Sequence, residues 1–153
     1  MAGAPSMSTE SSVQDAGLPP AADYDAIAAV IQLYIDGLEQ ADVDKLRECF
    51  HENAWAAWTT EEDGALVQHP VEEVLDDWTS DSFPKGWTHR ILSVTQAGDV
   101  ASVLLEMHIA DDSPGMGWVD VHALLRIDGV WKDMNKTATH VSRAGWANTA
   151  GGW

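Results

Sequence analysis

The chain has 153 residues, of which 45% are hydrophobic and 22% are charged, so its length suits one domain with a packed core. The 25 acidic against 8 basic side chains give a formal charge of −17, which argues against nucleic acid and anionic membranes as partners because both select basic surfaces. The single cysteine excludes an internal disulfide and a thiolate metal cluster.

The two ends of the chain differ in composition from the middle. Residues 1–21 are rich in Ser, Ala, Gly and Pro, which predicts a disordered leader. Residues 142–153 are rich in Trp and Gly and are expected to form a lid or an interface. Residues 22–141 form the predicted domain. The absence of a secretory signal pattern and of a long apolar run predicts a cytoplasmic protein.

Three helices are predicted in the first half of the domain. Apolar residues at helical spacing indicate an amphipathic helix over about 23–40. Asp42 is placed to cap a second, shorter helix. Pro70 is placed in the first turn of a third helix, which extends to Trp78.

Strands make up the rest of the domain. Two short strands are predicted over 54–58 and 65–67, and four long ones over 88–94, 100–109, 117–127 and 130–140. The turns Gly98-Asp99 and Asp128-Gly129 join the long strands in pairs. Helices followed by a run of antiparallel strands indicate an α+β fold with helices on one sheet face.

Three segments, 34–38, 42–50 and 127–132, resemble the nuclear transport factor 2-like superfamily, and in particular its lumazine-binding-like and polyketide-cyclase-like groups. The resemblance extends over about 23–140. It implies a cone-shaped roll, in which a strongly bent antiparallel or mixed sheet wraps around the long first helix and leaves an apolar pocket. It also implies a homodimer or homotrimer. The superfamily contains both enzymes and binding modules, so the fold alone does not select a function.

Glu39, His89 and Tyr34 form the first candidate catalytic group. A carboxylate that holds an imidazole fixes its tautomer and raises its basicity, as general acid–base catalysis requires. The scytalone and bile-acid dehydratases carry an acidic residue and a histidine at positions that match Glu39 and His89, and the bile-acid enzymes carry a tyrosine that matches Tyr34. The resemblance therefore implies a Glu39–His89 pair in the pocket, and the alternative is a solvated glutamate and a structural histidine.

The second candidate group lies on two long strands. Period-two spacing places Glu106 with His108 on one face of a strand, and Trp118, Asp120 and His122 on one face of the next. The resemblance to scytalone dehydratase implies that Asp120 occupies the position of an active-site asparagine, and that His108 lies two residues from the position of an active-site histidine, on the same strand face. Outer-surface positions are the alternative.

Aromatic and amide side chains complete the predicted binding site. Trp55 and Trp58 lie on the strand that lines the pocket mouth in this superfamily, and together with Trp118 they favour a flat apolar ligand. Asn135 is a further candidate for substrate binding. It shares a predicted strand face with Asp133, for which an exposed polar edge is the favoured interpretation.

These patterns predict a cofactor-free, dehydratase-like lyase or isomerase that acts on a hydrophobic small molecule bearing a hydroxyl or carbonyl group. In this hypothesis His89, oriented by Glu39, moves a proton, while Tyr34 and Asp120 polarise or protonate an oxygen. No metal is expected, because no histidine pair has helical i, i+4 spacing. The alternatives are a non-catalytic module that binds a flat aromatic ligand, a cyclase or epoxide-opening enzyme, and a subunit-interface protein.

Overall fold

The computed structural model describes residues 20–109 and 116–141. The predicted tail, and all of the predicted leader except residues 20 and 21, lie outside the described residues. Within them the elements follow in the order α1 (Ala21–Glu39), α2 (Val43–Cys49), β1 (Phe50–Thr59), β2 (Leu66–Pro70), α3 (Val71–Trp78), β3 (Trp87–Ala97), β4 (Val100–Ile109), β5 (Met116–Ile127) and β6 (Val130–His140).

The helices form where the sequence predicts them. The buried face of α1 includes the apolar residues with helical spacing, among them Ile27, Tyr34 and Leu38. Asp42 caps α2, since its carboxylate accepts hydrogen bonds from the backbone N–H groups of Asp44 and Lys45. The third helix begins directly after Pro70, whose fixed φ suits a helix start.

The end of α1 lies close to α2 at Gly37. A Cβ atom at this position would lie 2.6 Å from the Cδ2 atom of Leu46, a distance too short for two carbon atoms. Leu46 is fully buried in the core. The missing side chain of Gly37 therefore permits the close packing of the two helices.

The six strands form one sheet in the order β2-β1-β6-β5-β4-β3. The β1–β6 pair is parallel and the other pairs are antiparallel. The curled mixed sheet and the helices form the predicted cone, so the α+β fold is confirmed. Because β6 pairs with both β1 and β5, the last of the described strands lies at the centre of the sheet.

A β-bulge in β6 determines which of its side chains face α1. Asn135 pairs with Ala123, but Asp133 pairs with the next residue of β5, Leu124, so that Met134 is the extra residue. Asp133 is consequently fully buried on the concave face. The expectation that Asp133 lies at an exposed polar edge and shares a face with Asn135 is therefore wrong.

Candidate functional site

A cavity of about 190 Å³ lies between α1, α3 and the concave face of the sheet. Five aromatic side chains line it, namely Trp58, Trp78, Phe83, Trp87 and Trp118. The rings of Trp87 and Trp118 are 4.9 Å apart between centroids, a contact distance for aromatic rings. Such a wall suits an apolar, ring-containing ligand.

The polar residues of the cavity wall are Tyr34, Asp120 and Lys136, together with Asp77, whose side chain is exposed. The Tyr34 hydroxyl donates a hydrogen bond of 3.0 Å to Oδ2 of Asp120. The Lys136 Nζ atom lies 3.8 Å from the same oxygen. The other carboxylate oxygen of Asp120, Oδ1, is buried and accepts no hydrogen bond from residues 20–109 and 116–141. One oxygen of the carboxylate is therefore held by protein groups, and the other has no hydrogen-bond partner among the described residues.

His122 and Asp133 lie beside this carboxylate. The Nδ1 atom of His122 is 2.5 Å from Oδ2 of Asp133, and neither side chain is accessible to solvent. The Nε2 atom of His122 is 3.6 Å from Oδ2 of Asp120, which is an electrostatic contact but too long for a hydrogen bond. The imidazole ring of His122 also contacts the ring of Tyr34 edge to face, with 4.9 Å between the centroids.

Burial and charge act in opposite directions on these groups. Burial disfavours an imidazolium, but the carboxylates of Asp133 and Asp120 outweigh it and raise the pKa of His122 to about 9. Burial likewise disfavours a carboxylate at Asp120, but Lys136, His122 and Tyr34 outweigh it and lower the pKa of Asp120. His122 is thus protonated and Asp120 ionised at neutral pH.

The pKa shifts of Tyr34 and Asp133 follow mainly from burial. Burial, with a further contribution from the Asp120 charge, raises the pKa of Tyr34 well above its ordinary value, so its hydroxyl stays protonated. Burial also raises the pKa of Asp133, although the adjacent His122 opposes this shift. Two carboxylates flank the His122 ring, and their charges hold its pKa above the ordinary value.

The structure places four of the sequence-predicted site residues in the cavity wall: Tyr34, Trp58, Trp118 and Asp120. Asp120 is inaccessible to solvent. Its neighbour in the chain, Val121, is 43% exposed, as expected for alternation along a strand with one buried face. Of the two open interpretations for Asp120, the inward one is therefore correct.

The predicted Glu39–His89 pair is not formed. Both side chains are exposed and neither lines the cavity. The Glu39 carboxylate instead accepts hydrogen bonds from the backbone N–H groups of Gly86 and Trp87. His89 lies on β3, an edge strand. Glu39 therefore joins the end of α1 to the start of β3 and does not orient an imidazole.

Three further predicted site residues lie away from the cavity wall. His108 pairs across the strands with Thr88, with 3.1 Å between His108 Nε2 and Thr88 Oγ1, on the sheet face opposite to that of Met107. Trp55 is 44% exposed, because it lies three residues from Trp58 and so points to the other face of β1. The bulge in β6 places Asn135 on the outer face, where its Oδ1 atom accepts a hydrogen bond from Thr137.

The sequence places His122 on one strand face with Asp120 at period-two spacing, but it assigns His122 no role in the site. It favours an exposed edge for Asp133 and assigns no role to Lys136. Asp133 and Lys136 are three residues apart and share a face only because of the bulge, which strict alternation does not predict. No cluster of three or more His, Cys, Asp or Glu side chains within the described ranges has an arrangement that would hold a metal ion.

The fold and the site together define a member of the nuclear transport factor 2-like superfamily, in which a curled sheet and its helices enclose a small-molecule cavity. Residues 22–138 match the model of the family described as "Putative lumazine-binding", and the chain belongs to this family. Comparison with curated proteins gives no match. None of the helices in the described parts of the chain has the length and apolar character of a membrane span.

Solved structures with the same fold include three informative relatives. The chain is similar to an NTF2-like protein of unknown function from Shewanella baltica, with 23% identity, a TM-score of 0.69, and coverage of 80% of this chain and 97% of that one. A similar protein from Methylobacillus flagellatus has 22% identity, a TM-score of 0.70, and coverage of 81% and 96%. A ketosteroid isomerase-like protein from Erwinia carotovora atroseptica has 13% identity, a TM-score of 0.60, and coverage of 80% and 99%. These identities support the shared fold alone.

Proposed function

We propose that this protein is a cofactor-free acid–base isomerase or lyase that moves a proton on a small hydrophobic molecule. The observation that carries this proposal is the carboxylate of Asp120 at the polar end of an aromatic cavity. Its Oδ2 atom is held by Tyr34, while its Oδ1 atom is buried without a hydrogen-bond partner among the described residues. In this proposal Asp120 is the base and Oδ1 is the atom that receives the proton.

The low pKa of Asp120 restricts the proton that it can remove. A carboxylate with a lowered pKa is ionised at neutral pH but is a weak base, so the substrate must carry an activated proton. A C–H bond next to a carbonyl group meets this requirement. Loss of water from a β-hydroxy carbonyl compound can begin with the same proton transfer, so both an isomerase and a dehydratase are consistent with the site.

His122 and Asp133 support the base in this mechanism as positioning residues. The buried His122–Asp133 contact fixes the imidazolium beside Asp120, and its positive charge favours the ionised carboxylate. Tyr34 donates a hydrogen bond to the oxygen that does not receive the proton. This arrangement orients Oδ1 without occupying it.

A non-catalytic binding module is the second candidate function. The aromatic wall of the cavity and the description of the family favour it, because stacked rings bind flat molecules without any proton transfer. The oligomeric state, proposed above as a homodimer or homotrimer, does not discriminate between the two functions.

Deuterium incorporation distinguishes the two candidates. Cyclohexanone, cyclohex-3-enone and 3-hydroxycyclohexanone are incubated with the protein in D₂O and followed by NMR, while quenching of tryptophan fluorescence reports binding. We expect protein-dependent exchange next to the carbonyl, reduced roughly 100-fold or more in Asp120→Asn. Asp76→Asn is the matched control, because Asp76 is exposed on α3. Binding without exchange by the wild-type protein would favour the binding module.

A further inference from the structure

Lys136 places a nearly buried positive charge at the polar end of the cavity. Its side chain is 10% exposed and its Nζ atom lies 3.8 Å from Oδ2 of Asp120, beyond hydrogen-bond distance. The Nζ atom also lies 4.8 Å from the centre of the Trp78 ring and 5.7 Å from that of Tyr34, as in cation–π contacts. Across residues 20–109 and 116–141 no protein acceptor forms a hydrogen bond with this ammonium group.

The ammonium group and Asp120 offer a ligand complementary hydrogen-bonding capacity. Lys136 is an N–H donor with no hydrogen-bonded acceptor in the described part of the chain, and Oδ1 of Asp120 is an acceptor with no donor there. Both residues line the same cavity. Buried polar groups are normally satisfied, so a ligand that carries one acceptor oxygen next to one acidic hydrogen would complete this site.

We propose that Lys136 is the group that binds the substrate oxygen as it becomes an enolate, and that the substrate is a monocyclic enolisable ketone. This inference rests on the proposed function. The C–H bond next to the carbonyl breaks, and its proton moves to Oδ1 of Asp120. The bonding electron pair forms the enolate, whose oxygen accepts a hydrogen bond from Lys136. Return of the proton from Asp120 to the same or to another carbon restores the base, so no oxidant, reductant or co-reactant is required.

The geometry of the charges favours this role. A positive charge fixed where negative charge develops stabilises the transition state more than the ground state, and burial strengthens the effect. Lys136 is held by β6, which is a central strand of the sheet, and by its contact with Trp78. It is therefore positioned before the substrate binds.

The volume of the cavity limits the size of the substrate. At about 190 Å³ it is only somewhat larger than an engineered cavity of about 150 Å³ that binds benzene. One ring with small substituents fits this space. The aromatic wall then contacts the ring, while the carbonyl group meets Lys136 and Asp120.

The ionisation of bound 4-nitrophenol tests the role of Lys136 without any catalysis. In Asp120→Asn the site carries the charge that it would have after proton abstraction, and 4-nitrophenolate resembles the enolate in charge and size. We expect the absorption spectrum to show a pKa of bound 4-nitrophenol at least one unit below its value in solution, which is roughly a tenfold change in the ionisation ratio. Adding Lys136→Met should abolish the shift, and Lys136→Arg should retain part of it.

Lys132→Met in the Asp120→Asn background is the matched control. Lys132 lies on the same strand, but its ammonium group donates a hydrogen bond to the backbone oxygen of Glu48 and does not line the cavity. The shift should survive this change. Urea denaturation of each variant checks that it is folded. If Lys136→Met does not fold, the pKa of bound 4-nitrophenol is compared with and without Lys136→Arg.

The outcomes separate this inference from the proposed function. Three results would overturn the inference, even if the wild-type protein catalyses exchange. The bound 4-nitrophenol stays neutral, it ionises to the same extent without Lys136, or no 4-nitrophenol binds. Ionised 4-nitrophenol together with no exchange in the wild-type protein would instead overturn the proposed function, and would leave an oxyanion-binding site that depends on Lys136.

Discussion

Replacement of Asp133 by Asn tests whether the buried charges stabilise the folded protein. The side chain keeps its size but loses its charge, so His122 loses the carboxylate that lies 2.5 Å from its Nδ1 atom. The pKa of His122 is raised from 6.5 to about 9, a difference of about 2.5 units, which corresponds to about 3 kcal/mol of stability. In the variant, His122 can lose its proton and so avoid an uncompensated buried charge. The loss of unfolding free energy is therefore limited to about this value.

The dependence on pH follows from the direction of the shift. Because the pKa of His122 is raised on folding, its stabilising contribution is fully present below the unfolded pKa of 6.5 and disappears as the pH rises through about 9. Because Asp120 still flanks the His122 ring in the variant, the difference in unfolding free energy between wild type and Asp133→Asn should be about 1–3 kcal/mol at a pH near 6 and should shrink on the alkaline side. Ionisations that both proteins share cancel in this difference.

Urea denaturation followed by tryptophan fluorescence measures the free energy of unfolding at each pH. The slope of the transition should be unchanged, since the same surface is exposed on unfolding. Asp76→Asn, at an exposed position on α3, should change stability by less than about 0.5 kcal/mol. A loss below about 1 kcal/mol for Asp133→Asn near pH 6, or a loss that does not decrease toward pH 9, would refute the reasoning.

Three further variants test other parts of the structure. Gly37→Ala should lower the free energy of unfolding by about 1–3 kcal/mol, because the new methyl group meets Leu46 at 2.6 Å; an unchanged urea midpoint would contradict this. Glu39→Ala removes the acceptor for the backbone N–H groups of 86–87 and should lower the free energy of unfolding by about 1 kcal/mol. Fluorescence titration should also show weaker binding of 4-nitrophenol. Unaltered binding and stability would show that this contact does not support the cavity. His89→Ala should leave both deuterium exchange and ligand binding close to wild type, since His89 is exposed, and a large loss of exchange would return His89 to the catalytic group.

Local sequence patterns were sufficient to predict the helices and the long strands. The spacing of Ile27, Tyr34 and Leu38 fixes the buried face of α1, and alternation along β5 fixes Asp120 and His122 on one face. These features depend on the geometry of a single element. The inward position of Asp120 follows from its own burial and from the exposure of Val121, its neighbour in the chain.

The errors arose where the position of a residue depends on distant parts of the chain. The parallel pairing of β6 with β1 makes the last strand central, and no property of 130–140 alone indicates this. Asp133 therefore looked like an edge residue. Glu39 and His89 were joined because a helix end and a strand start could meet, but the backbone at Gly86 and Trp87 reaches the Glu39 carboxylate first. A backbone amide donor close to the end of a helix cannot be predicted from a pattern of side chains.

The bulge at Met134 explains how the cone holds several charges without an unpaired one. Regular alternation would place Asp133 and Lys136 on opposite faces, and one of the charges on β5 would then be buried alone, which is strongly destabilising. The extra residue instead brings Asp133 to His122 and Lys136 to Asp120, so two negative and two positive groups balance. Among the described residues Oδ1 of Asp120 is buried without a hydrogen-bond partner, and both Asp120 and Lys136 line the cavity. The same irregularity that makes the buried charges tolerable thus places Lys136 beside the Asp120 carboxylate in the cavity wall.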